Sequence, residues 1–218
     1  MTTRTAGLRV LALICAAAVG ALTAVAAEHA APTDRKVLTS IDVGFAQDMT
    51  VHHQQAVTMS DMVVQNASPE VLALADEIRF AQLREMGIMT GWLQVADEPL
   101  ISSQPMAWMH EPTSSEHVTD MPMAMPNNAP ETRMPGLASP HDLQLLQRAT
   151  GRANETLFLQ LMTRHHQGGI AMAAYVITHT HTQAVHDTAM YMVNEQLQEL
   201  QLMSALLQDH GATPLPYP

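Results

Sequence analysis

Thiols are almost missing from this chain of 218 residues, in which Cys15 is the single cysteine. It lies in an apolar N-terminal stretch, so the rest of the chain can form neither a disulfide nor a thiolate metal site. Aromatic residues are scarce, at 4%, which leaves aliphatic and thioether side chains to fill a core. Basic residues are few. The 10 Lys and Arg stand against 21 Asp and Glu, for a net charge of −11. Nucleic acid is therefore not expected as a partner, because binding it needs a basic surface. No glycine-rich phosphate loop and no His-Glu-x-x-His motif occurs, which argues against the nucleotide-binding and zincin classes. No Ser/His/Asp arrangement can be argued from spacing.

Methionine and histidine are plentiful, at 17 and 12 residues, and their placement repeats. Phe45 to Met62 reads FAQDMTVHHQQAVTMSDM, and Phe158 to Tyr175 reads FLQLMTRHHQGGIAMAAY, an offset of 158 − 45 = 113. Phe45/Phe158, Gln47/Gln160, Met49/Met162, Thr50/Thr163, His52/His165, His53/His166, Gln54/Gln167 and Met59/Met172 coincide. On a helix, Phe45, His52, Ala56, Met59 and Val63 fall within about 60° of one another, while His53 points about 100° away, near Met49. An imidazole is thus turned toward the core twice, each time beside a thioether. That donor pair is a soft set suited to Cu(I), with Ag(I) as the related ion. The plainer alternative is a core helix with a Met stripe and a hydrogen-bonded His. Di-iron bundles place a Glu three residues before each His. Met49 and Met162 hold those positions here, so a di-iron oxidase is disfavoured.

These residues resemble the bacterial exported family called domain of unknown function 305, which includes periplasmic copper-binding proteins of the CopM type. The likeness rests on Asp48-Met49, His52-His53-Gln54, Ala56 and Met59, and on Met162, His165-His166-Gln167-Gly168, Ile170 and Met172. It spans roughly residues 41 to 207 without the central insert, and it implies a ferritin-like helical bundle. The second copy departs from the pattern at Leu161, where the first has Asp48.

In chain order, residues 1 to 27 read as an export signal with a basic start, an apolar run and small residues at the end. Cleavage after Ala27 would leave 8 basic and 21 acidic residues, a net of −13. The location expected is the periplasm or cell envelope, with the membrane involved only through an uncleaved leader. Residues 28 to 39 form a lead-in. The first helical hairpin, 40 to 96, has helices at about 40–65 and 69–94, the second opened by Ser68-Pro69-Glu70. On the second helix Ile78, Gln82, Met86, Met89 and Leu93 share a face. The second hairpin, 139 to 210, has a short helix to Arg148, a long one over about 152–178 and another from about Thr182. Residues 211 to 218 are a tail. Ser68 aligns with Thr182, Gln82 with Gln196, Glu85 with Glu199 and Met89 with Met203, at an offset of 114. The expected fold is all-α: a four-helix bundle built from two repeated hairpins. Gly168-Gly169 inside a helix calls for close approach or room for a ligand.

The insert, 97 to 138, holds 7 of the 13 prolines and 6 of the 17 methionines. It is expected to be an extended, solvated loop. Met106, Met109 and His110, then Met121, Met123 and Met125, could wrap a soft monovalent ion. The alternative is a mere linker. His179, His181 and His186 cluster around the last turn, where His179 and His181 could hold a divalent ion at the surface, although a solvated turn is the favoured reading.

Three functions follow. The first is a protein that buffers or sequesters copper, or silver, in support of metal resistance; metal ions are then its partners. The second is an enzyme of the cuprous oxidase type, less favoured because no general base is evident. The third is a structural or interaction bundle without metal. No catalytic residue or protein partner can be named. The central site is expected where His52, Met59, His165 and Met172 converge, with Asp48 supplying charge or orienting an imidazole. His53 and His166, with Met49 and Met162, are the second choice. If the histidines are only core, hydrogen bonds to each other or to Gln55 and Gln167 are expected.

Overall fold

The computed structural model describes residues 37–64, 66–110 and 134–217, with the backbone alone of His110. The leader, most of the lead-in and Met121, Met123 and Met125 lie outside the described residues. The elements are α1 (Ser40–Asp61), α2 (Pro69–Val95), a short 3-10 turn (Ala107–His110), α3 (Pro140–Arg148), α4 (Gly151–His179) and α5 (Gln183–Asp209). The fold is all-α, and no strand occurs among the described residues. Helix starts follow local chemistry. Thr39 with Asp42 and Ser139 with Asp142 close capping boxes, and Pro69 and Pro140 stand at first helical positions, where no N–H is needed. α1 stops at Asp61, short of the expected Gln65. The Met62 and Val63 amides turn back to Met59 and Ser60, and the Val64 amide donates to Asn154 Oδ1 at 3.1 Å. The helix loses its donors to a neighbour.

α1 packs along α2 and α4 along α5, and the hairpins meet through α1 against α4, while α2 and α5 touch little. α1 and α4 cross with opposite sense. Met59 shares a core cluster with Phe158 and Met162, whereas Phe45 and Met49 share the other with Met172. Equivalent hydrogen bonds clasp the two ends of the pair. Thr182 Oγ1 donates to Asp42 at 2.6 Å, and Ser68 Oγ donates to Glu155 at 2.7 Å. Ser68 is the counterpart of Thr182, and Glu155 lies 113 residues after Asp42.

The insert is not wholly the solvated loop expected from its prolines: its two described arms are packed. Met106 and Trp108 are buried with Met134 in the second cluster, and Met109 packs against it. Trp108 stands edge-on to Phe45 and Tyr175, at 5.8 and 5.5 Å between ring centroids. It lies over Gly44, where a Cβ would come within 2.6 Å of it. An indole buries enough apolar area to dock an irregular segment when its N–H finds an acceptor, and Asp48 supplies that acceptor. On the return arm, Gln55 pairs both ways with the Ala138 backbone, at 2.7 and 3.1 Å.

The paired glycines have separate reasons. A Cβ on Gly168 would meet the Pro135 carbonyl at 2.0 Å, and one on Gly169 would meet Gln196 Oε1 at 2.6 Å. The return arm thus crosses α4 at Gly168. It does so through Gly136, which has φ +78° and approaches the Arg164 carbonyl.

Candidate metal centre

The crossing of α1 and α4 carries the histidines. The His52 and His165 rings lie 3.8 Å apart at the centroids, tilted by 34°. His52 Nε2 faces the Pro135 carbonyl at 3.1 Å, and His165 Nε2 faces the His52 carbonyl at 3.0 Å. A carbonyl only accepts, so both Nε2 atoms carry the proton. Each Nδ1 is then a bare lone pair, and neither has a hydrogen-bond partner. His53 and His166 flank this pair, with ring centroids 6.4 Å from His52 and 6.3 Å from His165. Their Nε2 atoms meet Glu85 and Glu199 of α2 and α5, each at 2.7 Å. Their Nδ1 atoms are also buried and unpartnered. Gln82 and Gln196 are buried one turn away on the same helices. The result is a layer of four imidazoles and two carboxyls between two apolar clusters.

Burial decides the charge of this layer. Loss of hydration pushes His52 and His53 down to about 3, aided by the neighbouring histidines, and puts His165 well below the usual range. The same loss raises Glu85 to about 7, against the pull of Arg84. Neutral imidazoles with free lone pairs are competent ligands. An orphaned buried nitrogen is costly, and a soft cation is a partner that such a lone pair can take.

The predicted ligands are not all brought together. Met49, Met59, Met162 and Met172 are fully buried, but Met59 with Met162 and Met49 with Met172 lie in separate clusters. The four-ligand set of His52, Met59, His165 and Met172 is therefore not assembled in one place. Because the helices run in opposite senses, the residue seven after each His lies toward a different end. Asp48 bonds the insert and no imidazole. It accepts from the Met106 amide at 2.6 Å and from Trp108 Nε1 at 2.8 Å, and desolvation raises its pKa against those bonds. Neither Gln55 nor Gln167 bonds a central His. Gln55 holds Ala138, and Gln167 Oε1 has no hydrogen-bond partner. Met106 is core, Met109 is half-buried and Met86 is half-buried on α2. His179 stacks on Tyr175 at 3.9 Å, and both His179 and His181 are exposed. Glu85 and Glu199 were not anticipated as partners. Their signal was present: an acid repeated in register on a core-facing stripe. Among the described residues, no group of three or more His, Cys, Asp or Glu is disposed to hold a metal ion. A donor set must therefore be smaller or include thioethers.

A duplicated hairpin with a histidine layer at its crossing defines a class of helical protein. A family model, "Domain of unknown function (DUF305)", matches residues 42–207, and the chain belongs to this family. It is similar to a DUF305 protein from Streptomyces coelicolor predicted to be secreted, with 36% identity, TM-score 0.70 and coverage of 82% of this chain and 98% of that one. A DUF305 fragment from Deinococcus radiodurans shares 26% identity, with TM-score 0.60 and coverage of 79% and 98%. CopM in a Cu(I)-bound form shares 25%, with TM-score 0.55 and coverage of 77% and 96%. CopM has also been solved in Ag-bound and Cu(II)-bound forms. No curated protein matches. Among the described residues, no helix is long and apolar enough to cross a membrane.

Proposed function

We propose that this protein binds Cu(I), with Ag(I) as an alternative ion, and buffers or sequesters it in the periplasm or cell envelope. The observation that carries the reading is the four buried imidazoles whose Nδ1 atoms lack partners. The binding of copper and silver by CopM supports it, as does the predicted secretion of the Streptomyces relative. Neutral imidazole suits copper, and a nearby buried carboxyl can balance the ion's charge. Met49, Met59, Met162 and Met172, in the clusters above and below the layer, are among the buried thioethers that could complete a set. A second reading keeps the layer purely structural and gives the metal to the insert methionines. It is favoured by the Nε2 bonds already made by all four rings.

The test is competition for Cu(I) against a chromogenic chelator, with thermal melting in parallel. His52→Gln with His165→Gln should lose most of the affinity and keep the fold. A variant without residues 111–133, which spares the docked arms, should keep it. Full affinity in the His variant and loss in the deletion would move the metal to the insert.

A further inference from the structure

A cleft of about 370 Å³ opens beside the histidine layer where α2 and α5 separate. Glu77, Tyr191, Asn194, Glu195 and Gln198 line it, together with Glu199. Glu199 connects the cleft to the interior. Its residue is 5% exposed, its Oε2 meets His166 at 2.7 Å, and its buried Oε1 has no hydrogen-bond partner. Arg84 stands at the side. It pairs with Glu195 at 3.1 Å across the two helices, lies 3.8 Å from Glu85 Oε1, and rests over the Tyr191 ring at 4.9 Å. A cationic side chain thus spans the acids that lead to both His–Glu pairs.

We propose that this cleft is the inlet through which a soft monovalent cation reaches the histidine layer, with Glu199 as the relay and Arg84 as a displaceable guard. The inference rests on the metal-binding reading and specifies its route. Carboxylate oxygens are hard donors, so they attract Cu(I) or Ag(I) without retaining it. Imidazole beyond them holds it. A cleft lined by acids concentrates cations and speeds their arrival. Arg84 neutralises part of that field until the incoming ion replaces it.

The kinetic signature separates an inlet from a ligand. Narrowing a passage slows uptake and release by the same factor, so the dissociation constant stays put. Removing a ligand changes the dissociation constant. The whole protein is loaded with Cu(I), and release is followed by capture in excess chromogenic chelator, with affinity measured separately at equilibrium. Gln198→Trp and Asn194→Trp, at exposed positions on the rim, should each slow release and uptake several-fold and by the same factor, with affinity and melting temperature unchanged. Arg84→Gln should speed uptake, and Glu195→Gln should slow it. If both Trp variants fold and release at the wild-type rate, while His166→Gln still loses affinity, the inlet is wrong and the binding site stands. If the wild type binds neither ion, or binds equally well without the histidines, the metal-binding reading fails and the inlet falls with it.

Discussion

The two hairpins carry the same residues through the histidine layer and differ at several positions that hold the insert. Phe45 and Phe158, Met49 and Met162, and the His pairs match across the crossing, and so do Gln82 with Gln196 and Glu85 with Glu199 on the outer helices. Three mismatches bear on the insert. Gly44 corresponds to Leu157, Asp48 to Leu161 and Gln55 to Gly168. In the first hairpin these residues seat Trp108, bind the Met106 and Trp108 N–H groups and grip Ala138. In the second, Leu161 is plain core and Gly168 gives way to Pro135. Shared residues thus build the histidine layer, and divergent ones build the clasp for a single insert.

The largest test strikes the shared layer. His52 and His53 titrate near 3 in the folded protein, and His165 lies well below its ordinary range. Unfolded histidines titrate near 6.5. Below that, the unfolded chain takes up protons that the folded one refuses, so stability falls as pH drops from about 6.5 toward 3. Glu85 runs the other way. Raised from 4.5 to about 7, it holds a proton that the unfolded chain has lost, so it adds stability as pH falls through that window. Asp48, also raised, does the same at lower pH. Glu195, also raised, sides with Glu85, and Asp142, lowered, sides with the histidines. The three buried histidines carry the balance, and each net proton is worth about 1.4 kcal/mol per pH unit. Urea midpoints of the metal-free protein should therefore decline from pH 6.5 to 4 and steepen below 4.5. A flat profile would mean that the histidines are accessible to protons in the folded state.

Next comes the clasp. Asp48→Leu copies the residue at the equivalent place in the second hairpin, Leu161. It strands the Met106 amide and the Trp108 indole N–H inside the core, at about 2–4 kcal/mol for two buried donors. Tryptophan emission should shift to the red as Trp108 leaves its seat, with the far-ultraviolet helical signal kept. A loss of helix together with the emission change would show that the clasp is part of the bundle rather than an attachment to it.

The helix starts at Pro69 and Pro140 were readable from the sequence because they are local chemistry; the end of α1 was not, because it is set by Asn154, 90 residues away. The repeat was readable because the offset is constant along each helix of the hairpin, 113 on the first and 114 on the second. The relative sense of α1 and α4 was not. Spacing along one helix places Met59 and Met172 on a His-bearing face, but it says nothing of register against a partner. For that reason the expected four-ligand set divided between two clusters. The Asp48–Trp108 bond joins residues 60 apart in sequence through an irregular segment, where no periodicity can report it. The Glu85 and Glu199 contacts were legible in principle, since an acid that recurs on an apolar stripe needs a partner.

The smallest effect tests whether the two ends of the crossing behave as independent copies. Thr182→Ala removes one donor from buried Asp42, which keeps Thr180 Oγ1 and the Thr39 amide. Ser68→Ala removes the donor at 2.7 Å from Glu155, which keeps only His210 at 3.5 Å. Glu155 also lines an open cleft, where water can replace the lost bond. Each change should then cost about 0.5–1 kcal/mol, one ordinary hydrogen bond with a substitute at hand. α1 separates the two sites by about 30 Å of helix. Over that distance single effects add to within about 0.5 kcal/mol, and the double variant should equal the sum. Denaturant melts of the two single variants and the double one decide this. A double variant that departs from the sum by more would mean that the two ends are coupled through the crossing that lies between them.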